Sequence, residues 1–280
     1  MSAAAVAGPG LGRFSINQMT VKQLDLPELV AACGEQGVTA VGLWREPVRE
    51  YGVKAAHDLF AEAGIAVTSL CRGGFFTAPD RQAVLDDNRA AIDEAAGVGT
   101  DTLVLVSGGL PEGGGLVDAR ARIAEALAEL APYAADRGVR LAIEPLHPMY
   151  AADRCAVSTL GQALDLAEPF DAATVGVVVD TYHLWWDERV DRQIAEAGAA
   201  GRIHCFQLAD WVTPLPAGVL TGRGQIGDGC IDMAHFRRVV DAAGYEGPIE
   251  VEIFNEAMWA RDGREVLRET ADRYRAVAAD

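Results

Sequence analysis

The chain has 280 residues, half of them hydrophobic, which is enough apolar material for one large core or two modest ones. Its 41 acidic residues against 24 basic ones leave a formal charge of −17, with no basic run anywhere. Because nucleic-acid binding draws most of its affinity from clustered Lys and Arg, this balance argues against a nucleic-acid partner.

The chain begins "MSAAAVAGPGLGRF", small and apolar but without a charged start and broken by Gly and Pro. That makes a poor signal peptide and no membrane span, so residues 1–12 are expected to be a frayed, disordered extension of a cytoplasmic protein with no membrane partner. Strand-like runs then recur: "FSINQMT" (14–20), "AVGLWRE" (40–46), "IAVTSLC" (65–71), "TLVLVSG" (102–108), "VRLAIEP" (139–145), "VGVVVDT" (175–181), "IHCFQLAD" (203–210) and "IEVEIFN" (249–255). Between them lie amphipathic stretches such as "LPELVAACGEQG", "KAAHDLFAEAG" and "ARARIAEALAELAPYAADRG", many ending on the Gly that suits a helix C-terminus. "GREVLRETADRYRAVAA" closes the chain as a last helix.

Eight strand-then-helix units without a long linker predict one α/β domain over residues 1–280, a (β/α)₈ barrel, a fold that usually takes about 250 residues. A doubly wound sheet would want a Gly-rich phosphate turn after its first strand, and "SINQMT" offers none. The G-x-G-x-x-G in "TGRGQIGDG" falls after the seventh strand instead, where it reads as a Gly-rich loop and not as a dinucleotide fingerprint. The five cysteines are scattered without C-x-x-C spacing, which predicts reduced thiols and neither disulfides nor a zinc framework.

In such barrels the reacting groups stand at the C-terminal strand ends, so polar residues there ask for an explanation. Strand five ends in Glu144, strand six in Asp180 followed by His183, strand seven in Gln207 and Asp210, and strand eight in Glu252. Any one carboxylate could cap a helix or pair with an arginine. Several around one axis repel each other, and a bound divalent cation is the simplest way to keep them ionised. Glu144, Asp180, Gln207 and Glu252 offer hard oxygen donors, which favour Mn²⁺ or Mg²⁺, with Zn²⁺ or Co²⁺ as alternatives. Cys205 shares the face of Gln207 and is expected to be packing.

His183 is placed to hydrogen-bond a substrate oxygen, or else to cap or support a ligand. His147 stands in the same relation to Glu144, in a loop stiffened by Pro145 and Pro148. His57, His204 and His235 read as structural. Trp44, like Trp185, Trp186, Trp211 and Trp259, falls at or beyond a strand end, as a wall for a sugar face or as cover for the barrel mouth. Arg72 and Arg45 could reach a carboxylate substrate, and pairing with Glu46 is the preferred expectation for them.

With "IEPLH", "VVDTYH", "GRGQIGDGCIDM" and "GYEGPIEVEIFN", the chain resembles, over nearly its whole length, the xylose isomerase-like barrels of the sugar-phosphate isomerase/epimerase superfamily, which include ketose 3-epimerases, hydroxypyruvate isomerases and inositol-pathway enzymes. The resemblance implies one divalent metal held by Glu, Asp, His and Glu, which fall on Glu144, Asp180, Gln207 and Glu252, with a substrate-contacting histidine at His183. Gln207 departs from the usual histidine, and "WVTPLP" lacks the arginine that the epimerases carry there, leaving Arg223 as the available substitute. Pairing of copies through helical faces is also what the resemblance implies.

The expected activity is a metal-dependent sugar isomerase or epimerase of carbohydrate metabolism, in which Glu144 and Glu252 pass a proton beside a ketose carbonyl through an enediolate. Elimination of a β-leaving group from a 3-keto sugar or glycoside uses the same groups, and a non-catalytic sugar-binding barrel is a further alternative. A non-phosphorylated small sugar or keto-polyol is the expected substrate, because Asp228 and the overall acidity oppose an anion in the Gly-rich loop.

Overall fold

A computed structural model describes residues 7, 8 and 10–277, so most of the expected N-terminal extension lies outside the described residues. Leu11, at the end of that extension, is fully buried. Eight parallel strands close a barrel in chain order: β1 (Phe14–Asn17), β2 (Ala40–Trp44), β3 (Ala66–Gly74), β4 (Thr102–Val106), β5 (Arg140–Glu144), β6 (Val175–Asp180), β7 (Ile203–Leu208) and β8 (Ile249–Val251). β8 pairs with both β7 and β1, which completes the ring. The (β/α)₈ architecture expected from the alternation is the one observed. No helix among the described residues is long and apolar enough to cross a membrane.

Local chemistry sets the element ends. Asp25 accepts from the Glu28 amide while the Glu28 side chain accepts from the Asp25 amide, which starts the helix Leu26–Gln36. Gly37, at φ 67°, ends it in the left-handed conformation that a Cβ would penalise. Strand one is shorter than the sequence run suggests, because Asn17 Oδ1 accepts from the Met19 amide and turns the chain into the short 3₁₀ helix Gln18–Val21. β8 stops at Val251, where Thr20 Oγ1 donates to the Val251 carbonyl and accepts from the Ile253 amide. The last helix, Gly263–Val277, returns to β1, with the Phe14 and Tyr274 rings 4.9 Å apart.

Strand alternation sorts two cores. A large shell of Leu, Ile, Val and Ala fills the space between strands and helices. A small cluster of Trp44, Cys71, Val104, Ala142, Val178 and Cys205 packs separately. One alternation step further along their strands come Glu144, Asp180 and Gln207, so the floor of the mouth is apolar and its rim polar. Glu250 is the exception below that rim. Its Oε1 accepts from Asn17 Nδ2 at 2.7 Å and Gln207 Nε2 at 2.9 Å, and its Oε2 accepts from Ser69 Oγ at 2.7 Å and Thr68 Oγ1 at 3.2 Å. Only a glycine fits opposite, since a Cβ on Gly42 would stand 2.4 Å from Glu250 Oε2.

A cavity of about 300 Å³ opens at the N-terminal end of the barrel, lined by Thr68, Arg140, His204, Tyr245 and Glu250 among others. His204 faces outward from β7, with Nε2 2.8 Å from the Ala172 carbonyl and Nδ1 buried without a partner. Burial pushes its pKa down to about 4. The unfolded chain, with a histidine pKa of roughly 6.5, therefore binds that proton more readily than the native one. The stability contributed by His204 is complete above about pH 6.5 and is lost as the pH falls toward the native value. In calorimetric melting curves between those limits, His204→Gln should lose less of its melting temperature on acidification than the parent; parallel losses would show that His204 does not titrate in this way.

Candidate functional site

Glu144, Asp180 and Glu252 stand at the ends of β5, β6 and β8, all buried. A fourth buried charge sits among them. Arg223 Nη1 lies 3.1 Å from Glu252 Oε2 and 3.7 Å from Asp180 Oδ2, and the same nitrogen donates to the Glu252 carbonyl at 3.1 Å. The Phe254 and Tyr182 rings flank the guanidinium at 4.7 and 5.0 Å. Burial opposes the charge on Arg223, yet Glu252, Asp180 and Glu144 outweigh it and hold the pKa above its ordinary value.

The carboxylates respond in the opposite sense. Burial lifts Glu144 well above the usual range, reinforced by Glu252 and then Asp180. Asp180 is pushed up to about 6 and Glu252 to about 7, in each case by burial first, with Arg223 pulling the other way. One guanidinium does not neutralise three carboxylates.

His183 lies between Glu144 Oε1 and Asp180 Oδ2, with Nε2 3.8 Å from each. Burial and the neighbouring Arg223 drive its pKa well below 6.5, so the ring is neutral. Its Nδ1 lies 3.1 Å from the His147 amide nitrogen and its Nε2 3.4 Å from Arg223 Nη2, so a donor faces each ring nitrogen. Glu144, Asp180 and His183 bring potential ligand atoms within 4.8 Å of one another, but His183 Nε2 already faces the Arg223 guanidinium. Cys71, Glu250 and Glu252 form a second such group, and it fits a metal no better. Burial holds Cys71 as a thiol, and the Glu250 oxygens are already taken by four side-chain donors.

Oxygen donors remain. Gln207 gives its Nε2 to Glu250, which aims its Oε1 the other way, and that oxygen is buried with no partner. Asp180 Oδ2 is likewise buried without a hydrogen bond. Two orphaned oxygens beside carboxylates that exceed the local positive charge make a donor set that fits a hard divalent cation held by Glu144, Asp180, Gln207 and Glu252.

The Gly-rich loop has a different use from phosphate binding. Asp210 accepts from the amides of Trp211, Gly227, Gly229 and Ile231 at 2.8 to 3.1 Å, so the chain's own carboxylate fills that cradle. Asp210 thus anchors the segment that carries Arg223.

Of the other sequence candidates, Trp44 donates Nε1 to Asn17 Oδ1 at 3.0 Å and lines the cleft, as does Arg223. The His147 ring packs against Trp211 and Trp186 at 4.8 and 5.7 Å, while its backbone orients His183. Arg45 pairs with Asp87 and Glu94, not with its neighbour Glu46. Arg72 makes no ion pair among the described residues, although Glu46 is close enough to act on its charge. Sequence reasoning missed Glu250, Tyr150, Arg154 and Phe254. The Glu250/Glu252 spacing of two was a usable signal, since it puts both acids on one strand face.

The cleft contains about 30 Å³ of free space, room for a water or an ion. Tyr150 and Tyr182 both donate their hydroxyls to the Val219 carbonyl at 3.2 Å and hold the segment carrying Leu220 over it.

The family model for the xylose isomerase-like TIM barrel matches residues 27–270, and the chain belongs to that family. A solved structure of protein SMc04130 from Sinorhizobium meliloti 1021 is 45% identical, with a TM-score of 0.93 over 96% of this chain and 100% of the other. A 3-dehydroshikimate dehydratase from Pseudomonas aeruginosa is 28% identical over 249 residues, 85% of this chain and 38% of that protein. An inosose isomerase from Halalkalibacterium halodurans is 27% identical over 150 residues, 52% of this chain and 50% of that protein. The chain therefore spans half the length or less of these curated relatives.

Asp210→Ala should free four amides and loosen the Gly-rich loop, at a cost of about 3 kcal/mol in chemical unfolding. An unfolding midpoint equal to that of the parent would remove Asp210 from this anchoring role.

Proposed function

We propose that this xylose isomerase-like barrel is a divalent-metal-dependent enzyme that moves a proton next to the carbonyl of a polyhydroxy ketone. One observation carries the reading: Asp180 Oδ2 and Gln207 Oε1 are buried without a hydrogen bond beside Glu144 and Glu252, and Arg223 is the one guanidinium in ion-pair range of these carboxylates among the described residues. A cation held by Glu144, Asp180, Gln207 and Glu252 would polarise the carbonyl and acidify the adjacent C–H bond.

The chain's own residues supply the proton steps. Glu144 on β5 and Glu252 beyond β8 approach from different sides of the ring, so one takes the proton from carbon and the other returns it to a neighbouring position or the opposite face. His183, its ring held by the His147 amide and the Arg223 guanidinium, is positioned to contact a substrate hydroxyl or carbonyl oxygen. Trp44, Tyr150 and Phe254 wall the cleft and restrict water. Return of the proton gives isomerisation or epimerisation, in keeping with the inosose isomerase relative.

A second outcome has its own support. The 3-dehydroshikimate dehydratase matches over 85% of this chain, more than the inosose isomerase does. In that reading the enolate expels a β-hydroxyl, which takes up a proton and leaves as water.

Both outcomes share one measurable step. In D₂O with Mn²⁺ or Mg²⁺, NMR should show exchange at one carbon beside the carbonyl of a ketose, an inosose or 3-dehydroshikimate. Chelation should abolish exchange and added metal restore it, and Glu144→Gln and Glu252→Gln should each slow it roughly 10²- to 10⁴-fold. Retention of every carbon substituent identifies an isomerase, and loss of water identifies a dehydratase. Absence of exchange with every ketone, metal present, would reduce the protein to a binding barrel.

A further inference from the structure

Arg72 and Arg154 line the same cleft as Glu144, His183 and Glu252, and neither makes an ion pair among the described residues. In a chain with 41 acidic residues against 24 basic ones, an arginine without a carboxylate partner is a costly choice. Arg45 shows the alternative, since it is held by both Asp87 and Glu94 a short way from Arg72, whose carbonyl it also contacts at 3.2 Å.

The Arg72 guanidinium is held in place by aromatic faces, 4.3 Å from the Phe75 ring centroid and 5.9 Å from that of Trp44. Phe75 takes an unusual positive φ of 53° to present that face, with its amide donating to the Val106 carbonyl at 2.7 Å. Arg72 Nε is buried without a partner. Both arginines line this cleft, and after burial the charge of Arg154 is the main influence lowering the Arg72 pKa, with Glu46 acting the other way from outside ion-pair range. Two such groups over a cleft favour an anionic oxygen group.

We propose that Arg72 and Arg154 form a carboxylate-binding subsite, and that the polyhydroxy ketone processed below them carries a carboxylate. The inference rests on the functional reading above and names its substrate class. Carboxylate is favoured over phosphate because the amides of the Gly-rich loop, the usual phosphate cradle of this barrel end, are occupied by Asp210. The planar guanidinium fork also matches a planar carboxylate in two parallel hydrogen bonds.

Calorimetric titration of the Mn²⁺-supplemented protein with three unreactive probes tests this without turnover. The probes are quinate (a cyclic polyol with a carboxylate), myo-inositol (a cyclic polyol without one) and myo-inositol monophosphate. Quinate should bind at least tenfold tighter than myo-inositol. Arg72→Gln and Arg154→Gln should each weaken quinate about 10- to 100-fold and leave myo-inositol within twofold, whereas Arg72→Lys should recover part of the loss. Melting temperatures equal to the parent's confirm that the variants fold, and the arginine-to-lysine change supplies a folded comparison should the glutamine variant not be stable.

Equal affinity for quinate and myo-inositol, no measurable binding of quinate, or quinate binding indifferent to both arginines would overturn the subsite. Tightest binding of the monophosphate, lost in the same variants, would overturn the choice of carboxylate. The D₂O exchange experiment reads the catalytic reading separately. A protein that prefers quinate through these arginines but exchanges no proton keeps the subsite and loses the chemistry, and the converse result keeps the chemistry alone.

Discussion

The mouth of this barrel is organised by an excess of buried negative charge. Glu144, Asp180 and Glu252 are packed against an apolar floor, and Arg223 is the one guanidinium within ion-pair range of them among the described residues. Removing carboxylates from water is unfavourable unless they are paired or bound to a cation, and the raised pKa values register that strain. The surrounding features follow from this constraint. Arg223 is stacked between rings, Asp210 anchors its loop, and Glu250 turns the amide of Gln207 so that its oxygen faces the deficit.

The neutral histidine belongs to the same arrangement. With Nδ1 engaged by the His147 amide and Nε2 facing the Arg223 guanidinium, His183 is held on both sides against the acidic rim. The loop "LHP" therefore acts through its backbone: the His147 side chain packs away among Trp211 and Trp186 while its amide reaches the Nδ1 of a residue 36 positions later and orients that ring.

The architecture was readable because strand and helix periods alternate eight times and most helices end on Gly. The rim was readable for a related reason: acids at the ends of apolar runs, as in "LAIE" and "VVVD", recur on strands five, six and eight and so share one end of the ring. What escaped depends on contacts distant in the chain. Glu250 drew no reading of its own within "IEVEIFN", and its four donors come from β1, β3 and β7. Asp210 read as one more rim acid, although its partners lie on a loop some 17 to 21 residues on. Arg72 was expected to pair with Glu46; which arginine receives the available acids is decided by the helix Arg81–Val98, which brings Asp87 and Glu94 to Arg45.

The niche opposite Glu250 has a consequence for how such sequences can diverge. Gly42 and Glu250 share one volume across the lumen, so a lineage cannot enlarge the first while keeping the second. Any descendant with a side chain at position 42 must trim position 250, and the amide at 207 would then be free to rotate or be replaced. Substitutions at these three sites should consequently be inherited as a set, with the glycine acting as the evolutionary gatekeeper of the glutamine.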